Sequence, residues 1–172
     1  MSAIALLRAR TASSHEAVDA AFGIEDLTSR ADYLRFLQAH ARALPKAESM
    51  AAAVWPALRR RTPLLAADLC ALGEKVELPV ETDSEAGPGQ WGALYVVEGS
   101  RLGGGLLSKR VGGGLPVSYL SAVHLPGEWR SIRLAIEHAA DGHGPDWVEQ
   151  MVTGALDTFS LYQSATGERL TT

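Results

Sequence analysis

Apolar positions along the 172-residue chain recur at three- and four-residue steps, the period of helices with one buried face. β-branched residues are few and scattered, and Gly, Pro and Asp punctuate segments of helical length. The pattern predicts a helix over 3–21, with Ser2 as N-cap and Gly23 beyond its end. A second runs over 30–44 behind Thr28 and Ser29. Pro45 opens a third that reaches Trp55 before Pro56 stops it, and Pro63 opens a fourth that ends at Gly73. Residues 75–88 are acidic, contain Gly and Pro, and read as a loop. A long helix follows over 90–111, ended by Gly112, Gly114 and Pro116. Helices over 126–141 and 145–165 complete an all-α chain of about seven helices in a single domain over 1–172, with no internal repeat.

The helix over 90–111 is unusual. YVVEGSRLGGGLLSKRV has apolar residues at helical spacings, yet Gly99, Gly103, Gly104 and Gly105 lie inside it. Each interior glycine costs about 1 kcal/mol relative to alanine. Close helix packing, a mobile helix and close approach of a flat ligand all account for such a cost. Gly92, Gly99 and Gly103 share one face, which predicts a smooth strip of backbone several turns long. No strand precedes the glycines, and neither phosphate-loop pattern is matched.

The first helix offers an opposing half-site. Arg8, His15 and Asp19 fall on one face, and the small Ala12 lies one turn before His15. A neutral imidazole binds iron or zinc, and a carboxylate one turn away orients its other nitrogen. Arg8 suits an anionic edge of the same ligand. Taken alone, His15 also reads as an ordinary helix-surface histidine.

Composition narrows the setting. The chain is 47% hydrophobic and 21% charged, which is globular, and its net charge of -4 argues against non-specific nucleic-acid binding. The single Cys70 excludes an internal disulfide or a Cys-rich metal site, and with apolar neighbours it reads as a buried thiol. No signal peptide or membrane span is read, so a cytoplasmic location is expected.

With both half-sites in view, the chain resembles the haem oxygenases, most of all the bacterial biliverdin-producing branch that includes suppliers of phytochromes. LLRARTASSHEAVDAAF (6–22), DYLRFLQAHARALPKAE (32–48) and ALYVVEGSRLGGGLL (93–107) carry the resemblance, which spans roughly 4–165. It implies a haem-oxygenase-like helical bundle with haem between a proximal and a distal helix. His15 would then be the proximal iron ligand, Asp19 would hold its second nitrogen, and Gly99 and Gly103 would lie over the distal face. Haem would be both cofactor and substrate. O2 and electrons from an external reductant, such as a ferredoxin or flavoprotein reductase, would open its ring to biliverdin, Fe2+ and CO. The resemblance also implies a phytochrome as recipient of the biliverdin.

Where the animal enzymes carry an aspartate after the first distal glycine, this chain has Ser100, as the bacterial branch commonly does. Main-chain carbonyls around Gly99 are therefore expected to anchor most of the distal water. The last helix has no Lys or Arg before Arg169, so Tyr162 is the candidate propionate partner beside Arg8. A binding protein that holds haem or a bilin without turnover is the alternative reading. A thiamin-degrading or metal-carboxylate enzyme of related fold is a further one, disfavoured by the lack of ExxH pairs.

The remaining chemistry-bearing residues read as structural. His40 suits a core edge, and His138 and His143 suit solvent. Arg59, Arg60 and Arg61 read as a solvated helix end favourable to the dipole. Lys109 and Arg110 read the same way, or as contacts for an acidic electron donor. Trp55, Trp91, Trp129 and Trp147 read as packing residues near helix ends.

Overall fold

The computed structural model describes residues 1–23, 25–79 and 83–167. Arg169 lies outside these, as do 80–82 of the acidic loop. The chain forms six helices: α1 Ala3–Phe22, α2 Arg30–Ala52, α3 Thr62–Ala71, α4 Pro88–Ser108, α5 Glu128–Asp141 and α6 Pro145–Gly167. The described residues contain no strand.

Local chemistry sets most of the boundaries. The Ser2 hydroxyl accepts from Ala5 N at 3.2 Å and caps α1. Proline stands in the first turn of α3 and of α4. Gly73, with φ 89°, takes the left-handed conformation just past α3.

The two segments read over 30–55 are one helix. α2 passes straight through Pro45, which deprives the Ala41 carbonyl of its partner and costs about 3 kcal/mol. Ala39, Ala43, Leu44, Ala47 and Ala51 are all buried along the same helix, and their packing offsets that cost. Local propensity loses here to tertiary burial.

α4 lies at the centre, against α6 and α2, while α1 rests on α6 and α5, and α3 on α2. One apolar core joins all of them, from Ile4 and Leu7 through Leu37, Leu44, Leu94 and Ile136 to Met151. Buried carboxylates tie the connections down. Glu48 accepts from Arg61 N and Thr62 N, both at 2.8 Å, and so caps α3 from α2. Asp68 accepts from Ser118 N and Tyr119 N, which fixes the segment after α4. Within α4, Arg101 pairs with Glu98 at 2.9 Å and also donates to the Ala122 and Arg59 carbonyls. This buried ion pair therefore fastens two connecting segments to one helix.

Candidate functional site

A cavity of about 510 Å³ lies between α1 and α4, within the size range of pockets that take cofactors. Arg8, Ala12, His15 and Asp19 line it from α1, and Gly99, Ser100 and Gly103 line it from α4. The two half-sites read from the sequence thus face one cavity, and Tyr162 joins them from α6.

On the α1 side, His15 Nδ1 lies 3.2 Å from Asp19 Oδ2, one helical turn away. That contact engages one ring nitrogen and leaves Nε2 for a ligand. The side chain remains 62% exposed, and its ring meets the edge of Phe159 at 6.0 Å.

The glycines of α4 have separate roles. A β-carbon at Gly103 would meet nothing within 4 Å, and one at Gly99 would meet only the Trp129 ring, at 3.8 Å. These two present bare backbone to the cavity. Gly92 does not continue the strip: a β-carbon there would lie 2.1 Å from the Met151 carbonyl oxygen. It belongs to a close crossing with α6, where a β-carbon on Gly154 would lie 2.2 Å from the Gly89 oxygen. Gly104 sits tightly under Leu120, with 3.3 Å from a would-be β-carbon to the carbonyl. Close packing accounts for Gly92 and Gly104, while Gly99 and Gly103 border the cavity, at different turns of one helix.

Ser100 is not a free hydroxyl beside the strip. It donates to the Val97 carbonyl at 2.6 Å and accepts from Arg61 Nη2 at 2.7 Å. Arg61 also donates to Val97 O at 2.8 Å. The carbonyl one turn before Ser100 therefore already accepts from two side chains, and the Arg61 guanidinium stands beside it.

Arg61 is 2% exposed, which corrects its reading as part of a solvated, dipole-favourable run. It stands at the N-terminus of α3, where the dipole disfavours a cation. That mismatch is the sequence signal that could have singled it out. Its neighbours behave differently: Arg59 pairs with Glu128 at 2.6 Å, and Arg60 is exposed.

Beside Arg61 lies an aromatic and histidine cluster. The Arg61 guanidinium stands 5.3 Å from the Tyr119 ring centroid, and Tyr119 Oη is 2.7 Å from His40 Nδ1. His40 stacks on Phe36 at 4.3 Å and meets the Tyr162 ring at 5.6 Å. Burial, reinforced by the Arg61 charge, pushes His40 down to about 3, so its ring is neutral. Burial likewise raises Tyr119 to about 12 and raises Tyr162 further. Arg61 Nε, His40 Nε2 and Tyr162 Oη are all buried without a hydrogen-bond partner, and all three side chains line the cavity. His40 thus stands at the edge of the core, packed on Phe36, and lines the cavity from there.

Two more lining residues escaped the sequence reading. Trp129 covers Gly99 and stacks on His124 at 5.3 Å, so it is a wall of the site as well as a packing residue. Arg133 lines the cavity from α5 and is exposed, as Arg8 is. It places a second basic side chain beside Arg8 at the cavity. Tyr162, by contrast, is 5% exposed and sits among His40 and Tyr119.

Outside the cavity, Glu98, His124 and Glu128 bring ligand atoms within 4.8 Å of one another. Arg101 and Arg59 already pair with the two carboxylates, so the cluster carries little charge to hold a cation. Cys70 is exposed rather than buried, because Leu65, Asp68 and Leu69 form the inner face of α3 and position 70 turns away from it. His138 and His143 are exposed. No described helix is long and apolar enough to cross a membrane.

No protein-family model matches the chain. A haem oxygenase of Xanthomonas campestris pv. campestris is 34% identical over 86 residues, which are 46% of this chain and 52% of that protein. The match thus spans about half the length of that relative. The haem oxygenase of Neisseria meningitidis, solved with NO and CO bound, is 24% identical and covers 98% of this chain and 92% of its own, with a TM-score of 0.81. The chain therefore has the haem oxygenase fold over nearly its whole length.

Proposed function

We propose that the protein is a haem oxygenase that opens haem to biliverdin, Fe2+ and CO with O2 and electrons from an external donor. The observation that carries this reading is the pairing of a carboxylate-held histidine on α1 with side-chain-free backbone at Gly99 and Gly103 on α4, across one cavity. The residues fit haem: a planar macrocycle needs an axial donor on one side and a close, smooth wall on the other. When bound, haem supplies the iron and the ring carbon that are the seat of O2 chemistry.

In this reading His15 would hold the iron through Nε2, and Asp19 would keep the imidazole in place through Nδ1. Gly103 leaves open space on the α4 wall of the cavity, which a longer side chain would take from the macrocycle. Arg8 and Arg133, both exposed and without an acidic hydrogen-bond partner among the described residues, would receive the propionates. Tyr162 is better suited to the buried polar end than to a propionate. There Arg61, held by Val97 O and Ser100, orders water and supplies N–H donors near the bare face of α4. Tyr119 Oη and His40 Nδ1 lie 2.7 Å apart, a hydrogen bond that can form one link of a proton path. An acidic one-electron carrier such as a ferredoxin suits the exposed Lys109 and Arg110 beyond α4.

The test is to add hemin to the full chain, record the Soret band, then supply ascorbate or a ferredoxin system and follow bilin absorbance. Haem uptake followed by bilin supports the enzyme. Haem uptake with no bilin under either reductant replaces it with a non-catalytic haem-binding protein.

A further inference from the structure

We infer that the buried end of the cavity, at Arg61, His40, Tyr119 and Tyr162, is a binding site for a small monovalent anion that operates in the haem-free protein.

Three polar atoms in one cluster lack partners: Arg61 Nε, His40 Nε2 and Tyr162 Oη. The first is always a donor, because a guanidinium has no acceptor. The third donates its only hydrogen. The second depends on Tyr119, whose hydroxyl is 2.7 Å from His40 Nδ1. When that hydroxyl donates to Nδ1, the neutral ring carries its hydrogen on Nε2, and all three orphans become donors. A buried donor without an acceptor costs the full loss of its hydration, so the cluster calls for an acceptor-rich occupant.

A single water bound at the three donors meets this need less well than an anion does. It accepts at most two bonds and brings two hydrogens of its own that need acceptors. The nearby carbonyl of Val97 already accepts from both Ser100 and Arg61. An anion accepts from every donor and brings no hydrogen. Charge points the same way. Arg61 is buried and forms no ion pair with any described carboxylate. Glu48, the nearby acid, spends its oxygens on Arg61 N, Thr62 N and the Thr62 hydroxyl, and not on the guanidinium. Among the described residues Arg61 and Arg101 are the cations and Glu48 the carboxylate that act on Tyr119, so a small ion with a single charge is the most that the site takes. Formate, azide and chloride share this chemistry, and formate serves as the probe.

The experiment uses the full chain without haem, at fixed ionic strength with a bulky counter-anion, titrated with formate by calorimetry. Ring-15N histidine spectra recorded on the same samples report on His40. Saturation near one formate per chain, with a dissociation constant on the order of 1–10 mM, is expected. His40 should move to a single tautomer protonated at Nε2, while His138 and His143 stay fixed. Arg61→Met should weaken binding at least tenfold or so, the loss of a charged donor. Should that variant not fold, Tyr162→Phe removes one donor and keeps the ring, and should weaken binding about threefold to tenfold. Arg130→Ala, an exposed cation on α5, should leave binding unchanged. No saturation up to about 100 mM formate, or binding that leaves His40 unmoved and survives Tyr162→Phe, overturns the inference. Because haem takes no part, neither result depends on the enzymatic reading.

Discussion

Arg61 Nη2 donates to Ser100 Oγ at 2.7 Å, across a sequence separation of 39 residues. The contact joins the segment before α3 to the face of α4 that looks into the cavity. It also changes what Ser100 does. Its single hydrogen goes to Val97 O, and one of its lone pairs receives the guanidinium. The hydroxyl therefore holds Arg61 in place more than it holds water.

Two substitutions separate these roles. Ser100→Ala removes one of the two acceptors of Arg61 Nη2 and leaves Val97 O. Bilin formation should slow by about tenfold or less, equivalent to ~1.4 kcal/mol in the barrier. Arg61→Met removes the buried donor itself and should slow it by about a hundredfold or more, in the range of lost proton delivery. Haem affinity, read from the Soret titration, should change little in both. A larger loss from Ser100→Ala than from Arg61→Met would return the leading role to the hydroxyl.

The glycines of α4 invite an opposite pair. Gly92→Ala places a β-carbon 2.1 Å from Met151 O and 2.5 Å from Ala155 N, which are backbone atoms that cannot turn aside. Thermal unfolding should drop sharply, by several kcal/mol in stability, because α4 and α6 must separate. Gly103→Ala meets open space. It should hold or raise stability by up to about 1 kcal/mol through helix propensity. Gly103→Leu should fold equally well yet impair haem binding. If Gly103→Leu binds haem normally, the bare face of α4 is not the wall of the ligand site.

These pairs also show what was readable in advance. Glycines inside a helix are a local anomaly, so α4 announced itself. The face shared by Arg8, His15 and Asp19 needs only a helical period. Whether Gly92 faces a ligand or another helix depends on where α6 crosses, and no local pattern carries that. Pro45 misled for the same reason: α2 is held by burial along its length, which a breaker cannot report. Arg61 was hidden in a run of three arginines of which only one is buried. Its place at a helix N-terminus was the clue. His40 follows Tyr33 and Phe36 on the apolar stripe of α2, a clue to burial but not to the cavity beside it.

His15 and Asp19 touch little besides each other and the edge of Phe159, and both are mostly exposed. His15→Ala should therefore leave the unfolding midpoint of the haem-free protein unchanged within error. The same variant should lose the histidine-ligated Soret spectrum, and added imidazole should restore it. Asp19→Asn keeps a hydrogen-bond acceptor without charge, and should retain ligation with a weaker iron bond. A histidine spectrum that persists in His15→Ala would move the axial ligand elsewhere.

His40 makes a prediction about acid stability. Its folded value lies near 3, because burial and the neighbouring Arg61 disfavour the imidazolium, whereas the unfolded chain titrates at an ordinary histidine value near 6.5. Between those values the unfolded state binds the extra proton. Stability contributed by the neutral ring is therefore complete above about pH 6.5 and falls as pH drops towards 3, by at most about 1.4 kcal/mol per pH unit. A non-titrating ring of similar size isolates the effect. His40→Phe should cost stability at pH 7, since the bond to Tyr119 is lost, but its stability should decline less steeply between pH 6 and 4 than that of the parent chain. Urea unfolding at half-unit pH steps measures both slopes. Parallel slopes would mean that His40 is protonated in the folded state at ordinary acid pH. The cluster beside Arg61 would then hold a second cation, in place of the neutral donor on which the buried polar end of the cavity depends.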